Sequence, residues 1–290
     1  MIQSFCSNDK GLRGVKCGSG QRIKDLKRAG ERLDNLFVQV RDPVVREWIR
    51  AEALPTPFCP GCGHGIVLRA LVNACYELGL DRTKTVFVSG IGCSGWISSP
   101  MINADTLHTT HGRPVAFATG LVLTRPDLTV IAIGGDGDLA SIGGNHLIHA
   151  ARRNLNMAII MADNMNYSMT GGQVSPTTPP GARTSTTPKG NPWPSFDVAR
   201  LVKAAGAAYV ARYTTYHYRH LVNAIKKAIS VQGTGFVQAI SNCPIHYGRH
   251  NLEGTAADIL RWYREVSVNV KKAAEMSPEE LEGKIIIGEF

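Results

Sequence analysis

The residues best suited to chemistry in this 290-residue sequence fall at a few small-residue turns: Asp136 within Gly134-Gly135-Asp136-Gly137, Asn164 in Asp163-Asn164, and Cys59, Cys62, Cys93 and Cys243. Asp136 and Asn164 offer hard oxygen ligands, a donor pair that suits a Mg²⁺ ion also touching a diphosphate. The glycines beside Asp136 let backbone approach such a ligand closely. Thiolates do different work. Cys59-Pro60-Gly61-Cys62 has three chemical readings: a redox pair, half of a zinc site, or half of an iron–sulfur site. A redox pair wants a preceding strand, which Leu54-Pro55-Thr56-Pro57 does not supply, and zinc wants a second close pair, which the sequence lacks. A cubane cluster needs two more thiolates that can be distant, and Cys93 and Cys243 are compatible with that role; a Cys₄ zinc ion is the alternative. His108 and His111 stand three apart with no third ligand type nearby, so they read as hydrogen-bonding groups for substrate or phosphate, or as structural histidines.

Strands must deliver these groups. The run at 128–133 is short and β-branched, and it reads as a buried strand ending at Gly134-Gly135-Asp136. A helix over 141–153 leads to a second apolar strand at 157–162, which presents Asp163-Asn164 at its C-terminal end, where open parallel sheets place ligands. A strand at 85–89 runs into Gly90-Ile91-Gly92-Cys93, placing Cys93 on the same rim as Asp136. A helix over 66–78 follows the Cys-x-x-Cys, and Cys75 within it reads as a core thiol. Helix 196–205, strand 208–212, helix 216–231 and strand 235–241 complete an alternating pattern, and the last strand ends at Asn242-Cys243. The whole predicts an α/β fold with an open, mostly parallel sheet and helices on both faces. Residues 173–195, rich in Pro, Thr, Gly and Ser, are too long for a plain connection and read as an ordered loop covering the site and contacting a partner. A final amphipathic helix is expected over 255–274.

The chain divides into an extension at 1–54, an α/β domain at 55–254 and a C-terminal helix and tail at 255–290. The extension is basic, with a helical patch at 22–37, and reads as a partner-wrapping segment. Net charge is +9, but the basic residues are scattered rather than striped, apart from Arg22, Lys24, Lys27, Arg28 and Arg32; an acidic partner or substrate fits better than nucleic acid. Seven cysteines make an odd count, and there is no secretion signal, so thiols are expected reduced in a cytoplasmic protein without a membrane span. The sequence has no Glu between Glu77 and Glu253.

The stretch from Gly-Asp-Gly to Asp163-Asn164 resembles the thiamine diphosphate signature. The ordered set Cys-Pro-Gly-Cys-Gly, Gly-Ile-Gly-Cys-Ser, His-Thr-Thr-His-Gly-Arg, Gly-Gly-Asp-Gly-Asp and Met-Thr-Gly-Gly-Gln, from about Phe58 to Asn251, resembles the β subunit of a 2-oxoacid:ferredoxin oxidoreductase. The closing Cys-Pro-Ile-His-Tyr-Gly-Arg-His-Asn is most similar to the 2-oxoglutarate branch. The resemblance implies that 2-oxoglutarate, coenzyme A and oxidised ferredoxin give succinyl-CoA, CO₂ and reduced ferredoxin, reversibly. It implies thiamine diphosphate held by Gly92, Ser94, Gly135, Asp136, Gly137, Asn164, Asn166 and Thr170. It further implies Mg²⁺ on Asp136, Asn164 and the Asn166 carbonyl, and one [4Fe–4S] cluster on Cys59, Cys62, Cys93 and Cys243. His111 and Arg113 would meet a substrate carboxylate. The activating Glu would come from an α subunit, in an αβ or (αβ)₂ assembly. Asp163 departs from the usual Asn, and the N-terminal extension lies outside the resemblance. A non-oxidative decarboxylase, another 2-oxoacid specificity, and a zinc-stabilised scaffold are the alternatives.

Overall fold

A computed structural model describes residues 42–252 and 254–290. The expected helical patch at 22–37, its basic cluster, Cys6 and Cys17 lie outside the described residues. Residues 42–290 form one compact unit. The stretch 42–54, assigned above to the extension, contributes helix α1 (Pro43–Trp48), whose Asp42 side chain caps the backbone N–H of Val44. Trp48 is fully buried in the main core and packs edge-on against Phe87.

Eight strands make one sheet: β1 (Thr85–Ser89), β2 (Asp105–His108), β3 (Thr129–Gly135), β4 (Met157–Asp163), β5 (Tyr209–Thr214), β6 (Thr234–Ile240), β7 (Ser267–Asn269) and β8 (Ile285–Glu289). Their order is β2-β1-β3-β4-β6-β5-β8-β7, parallel except where β8 meets β5. The expected α/β class and mostly parallel sheet are therefore present.

Parallel strands covered on both faces read as continuous apolar runs because alternate side chains enter different cores. Ile131 and Ile133 of β3 enter one core with Phe87, Ile160 and Val237, beneath α2 (His64–Glu77) and α6 (Tyr218–Ser230). Val130 and Ala132 enter the other with Val88, Ile159 and Phe236, beneath α3 (Pro114–Thr124), α4 (Gly144–Arg153) and α5 (Val198–Ala204). Helices thus lie on both faces.

Two local expectations differ. The helix expected from 141 begins as a π-turn over Gly137–Ile142, and the regular helix starts only at Gly144. The expected helix over 255–274 ends at Val266 in α7 (Ala256–Val266), and Ser267–Asn269 peels off as β7. The run Ser267-Val268-Asn269 pairs with Ile285–Ile287, so a tertiary sheet partner overrides the helical pattern. Among the described residues no helix is long and apolar enough to cross a membrane.

Ile160 is fully buried at the centre of the sheet. Ile160→Ala is expected to cost about 2–5 kcal/mol of unfolding free energy, read as a lower denaturant midpoint at unchanged slope.

Candidate active site

After β1 the chain crosses to β2 on one side, and after β3 it crosses to β4 on the other. The crevice between the ends of β1 and β3 is therefore a topological switch point, the place where open sheets bind ligands. Register makes the ends level: Ser89 pairs with Ile133, Gly135 with Ala162, and Asp163 with Ile240. Groups that follow these strands emerge along one edge.

A cavity of about 140 Å³ opens there. Gly92, Ser94, His111, Gly135, Asp136, Gly137, Asn164, Asn166 and Thr170 all line it. Arg113 does not; its guanidinium turns to the carbonyls of Gly112 and Ile142, both at 3.3 Å. A Cβ at Gly137 would stand 2.2 Å from the Tyr167 ring, so only glycine permits that approach.

The turn after β4 concentrates oxygen. Met165 holds a left-handed φ of 62°, rare for a non-glycine residue, and its N–H donates to Asp163 Oδ1 at 3.0 Å. That turn brings the Asn164 amide oxygen to 2.7 Å from the Asn166 carbonyl and 3.3 Å from Asp136 Oδ1, while Asn164 Nδ2 donates to Ser168 Oγ at 2.8 Å. Three acceptors face one another with no donor between them. Turning the Asn164 amide over would satisfy them with N–H groups; so would a cation, with the oxygen left inward. The donor set thus fits a hard divalent ion.

Behind it sits a second carboxylate. Asp136 and Asp163 are both buried, and the Thr177 hydroxyl lies 3.0 Å from Asp136 Oδ2 and 2.8 Å from Asp163 Oδ1. Gln238 Nε2 donates to Asp163 Oδ2 at 2.7 Å, and Gln238 Oε1 accepts from Arg212 Nε at 2.8 Å. Burial, and then the Asp163 charge, push the Asp136 carboxyl above its ordinary range; burial pushes Asp163 up despite its Gln238 bond. Thr177 comes from the long 173–195 loop, whose residues are divided between buried and exposed; none of them lines the cavity at Asp136, so the loop supports the carboxylate pair from behind.

The four cysteines named from the sequence line one neighbouring cavity of about 260 Å³. The Cys59–Cys62 turn reaches Cys243 because it is tied to the end of β6: Gly63 N donates to the Asn242 carbonyl at 2.9 Å, and Asn242 Nδ2 donates to the Gly61 carbonyl at 2.7 Å. A Cβ at Gly63 would lie 2.5 Å from Asn242 Oδ1. Cys59 is exposed, Cys62 and Cys93 are half-buried, and Cys243 is buried. Burial first, then the neighbouring sulfurs, pushes the Cys62 thiol up to about 12 and Cys93 to about 11. Among the described residues no three His, Cys, Asp or Glu side chains converge on a single-ion position. Cys93, Asn164, Ser168 and Met169 wall both cavities, and Ser168 Oγ lies 3.4 Å from Cys243 Sγ.

Two further lining groups escaped sequence reasoning. His64 is fully buried, with Nδ1 2.8 Å from Ser241 Oγ, and burial holds its imidazole down to about 4. Asp138 lies buried beneath His111. The second Asp of Gly-Asp-Gly-Asp was a visible signal for Asp138; nothing local marks His64.

Residues 90–239 match the family described as thiamine pyrophosphate enzyme, C-terminal TPP-binding domain. The 2-oxoglutarate synthase subunit KorB of Methanothermobacter thermautotrophicus is 51% identical over 86% of this chain and 86% of its own. The chain belongs to the β subunits of 2-oxoacid:ferredoxin oxidoreductases. Within that family it is also 48% identical to the KorB subunit of Methanocaldococcus jannaschii, over 84% of this chain and 90% of the relative. A solved 2-oxoglutarate:ferredoxin oxidoreductase from Magnetococcus marinus, with 2-oxoglutarate, coenzyme A and succinyl-CoA bound, superposes with a TM-score of 0.74 at 34% identity, covering 87% of this chain and 85% of that one.

The buried Asp136–Asp163 pair fixes a sign for pH. Both carboxyls are held above their ordinary values, so the folded protein keeps protons that the unfolded chain has released. The pair's contribution to stability therefore falls as pH rises above about 4. In EDTA, Tm is expected to decline over that range, and Asp163→Asn is expected to flatten the decline; an unchanged slope in the variant would assign it to other groups.

Proposed function

We propose that this chain is the β subunit of a 2-oxoglutarate:ferredoxin oxidoreductase that converts 2-oxoglutarate and coenzyme A to succinyl-CoA and CO₂ while reducing ferredoxin. The observation that carries the reading is the adjacency of the oxygen-lined crevice and the four-thiol cavity, which share Cys93, Asn164, Ser168 and Met169 as lining residues. Thiamine diphosphate supplies the electron sink for decarboxylation, and a [4Fe–4S] cluster takes electrons singly.

This chain's residues have distinct tasks. Asp136, Asn164 and the Asn166 carbonyl would hold Mg²⁺, and the backbone at Gly92, Gly135 and Gly137, with Ser94 and Thr170, would hold the diphosphate. Cys59, Cys62, Cys93 and Cys243, which line the neighbouring cavity, would hold the cluster. Ser168, 2.8 Å from Asn164 Nδ2 and 3.4 Å from Cys243 Sγ, would stand between the two groups.

The site calls for a second chain. No Glu lines either cavity among the described residues, although activation of thiamine diphosphate needs one at the pyrimidine ring. Ile91, Trp96 and Met169 stand exposed at the cavities, an apolar rim that suits a covering α subunit bearing that Glu. The net charge of +9 suits an acidic ferredoxin.

The test is an anaerobic absorption spectrum with iron and sulfide analysis of the chain co-purified with its partner. On the order of four irons per chain is expected, with a broad visible band that bleaches on adding 2-oxoglutarate plus coenzyme A. Cys243→Ser is expected to lose the band while retaining thiamine diphosphate. A colourless zinc protein handled without oxygen would sink the reading, and a cluster bleached by pyruvate but not 2-oxoglutarate would move the specificity.

A further inference from the structure

Asp138 is buried, with one of its carboxylate oxygens unpartnered. Oδ1 accepts from the Gly112 N–H at 2.6 Å, whereas Oδ2 has no hydrogen bond. The chain makes unusual room for this group: a Cβ at Gly90 would stand 2.1 Å from Oδ2, and one at Gly134 2.5 Å. A buried carboxyl left half-satisfied costs stability, so a position that keeps one is set apart from ordinary loop packing. The group that faces the charge is His111, whose Nδ1 lies 2.9 Å from Asp138 Oδ1 and 3.2 Å from the Ile91 carbonyl.

Both neighbours of Nδ1 are acceptors, so the neutral ring carries its proton there. Nε2 is then the free nitrogen, with no hydrogen-bond partner among the described residues, on a side chain that lines the cofactor cavity. The other bases of that cavity are engaged. Asp136 belongs to the oxygen cluster, Cys93 to the thiol cavity, and His64 is fully buried against Ser241.

We propose that Asp138 positions His111 as the base that takes the proton of the co-substrate thiol. The thiol S–H bond breaks, the proton forms an N–H bond at Nε2, and the electron pair stays on sulfur as the thiolate. The ring becomes an imidazolium that still holds its Nδ1 proton against Asp138, whose charge stabilises it. This role replaces the carboxylate-binding role expected for His111, and it rests on the oxidoreductase reading; the tautomer does not.

The test begins with long-range ¹⁵N–¹H correlation on the full chain labelled in histidine, with the His111 signals assigned by their loss in His111→Asn. The expected neutral ring is protonated at Nδ1; an Nε2–H ring overturns the proposal. In Asp138→Ala only the Ile91 carbonyl remains, so a mixture of tautomers is expected, and a pure Nδ1–H ring there removes Asp138 from the role. His111→Asn keeps a donor near the Nδ1 position and deletes Nε2. In the complex with its partner it is expected to lower coenzyme A-dependent turnover about 100-fold, and unchanged turnover overturns the proposal. Because the resonance measurement needs no turnover, an Nε2–H ring counts against this inference alone, whereas an inactive wild-type complex overturns the oxidoreductase reading and this role with it.

Discussion

The constraint on which this structure turns is the burial of too many acceptors at one point of the sheet edge. Asp136, the Asn164 amide, the Asn166 carbonyl and Asp163 are packed together, and they repel one another. Much of the surrounding architecture reads as a response. The left-handed Met165 folds the turn so that its N–H meets Asp163. A loop of more than twenty residues inserts Thr177 between the two carboxylates. Gln238, midway along a fully buried strand, relays the Arg212 charge to Asp163, and Arg212 is itself paired with Asp197 and stacked near Phe290. What remains unanswered is the space between Asp136, Asn164 and Asn166, and a divalent cation is the group whose chemistry answers it.

Asp163 sharpens the point. An asparagine there would bring its own donor and no charge, and neither Arg212 nor its long relay would be required. With aspartate, the sheet carries a buried cation on the far side of β4 from the cofactor crevice. Buried ion pairs seldom add stability over apolar packing, so on the proposed reading the arrangement would set charge beside the Mg²⁺ ligands rather than hold the fold together.

How far the sequence could be read depended on whether the determining contacts were local. The β-branched runs, the glycine turns at their ends and the alternation with helices disclosed the α/β class, and the strands near 85, 129, 157 and 234 fell within two residues of their expected limits. The edge elements did not disclose themselves: β2 and β8 are short, and β7 lies inside a helical pattern, so only pairing defines them. The site behaved similarly. Asp136, Asn164 and the four cysteines stood out because their residue types have few bland uses at strand ends. Arg113 looked like a substrate ligand from its neighbours, yet local carbonyls capture it. Thr177, Gln238 and Arg212 act through contacts fourteen to seventy-five residues distant, and no spacing rule reaches them.

The two cavities also bear on the proposal that one chain carries half an active site. The Cys59–Cys62 turn belongs to the start of α2, Cys93 to the end of β1, and Cys243 to the end of β6, so the thiols come from three separate elements drawn to the same edge as the oxygen cluster. On the proposed reading, electrons would pass from the cofactor to the cluster, and a sheet edge within one chain would hold both sites in register. The activating carboxylate proposed for the partner would have no such need. Supplying it from a partner would leave the crevice mouth open until assembly, with Ile91, Trp96 and Met169 exposed around it. On this reading, assembly would complete the catalytic set and exclude water in the same event, confining cofactor activation to the complex that delivers the electrons onward.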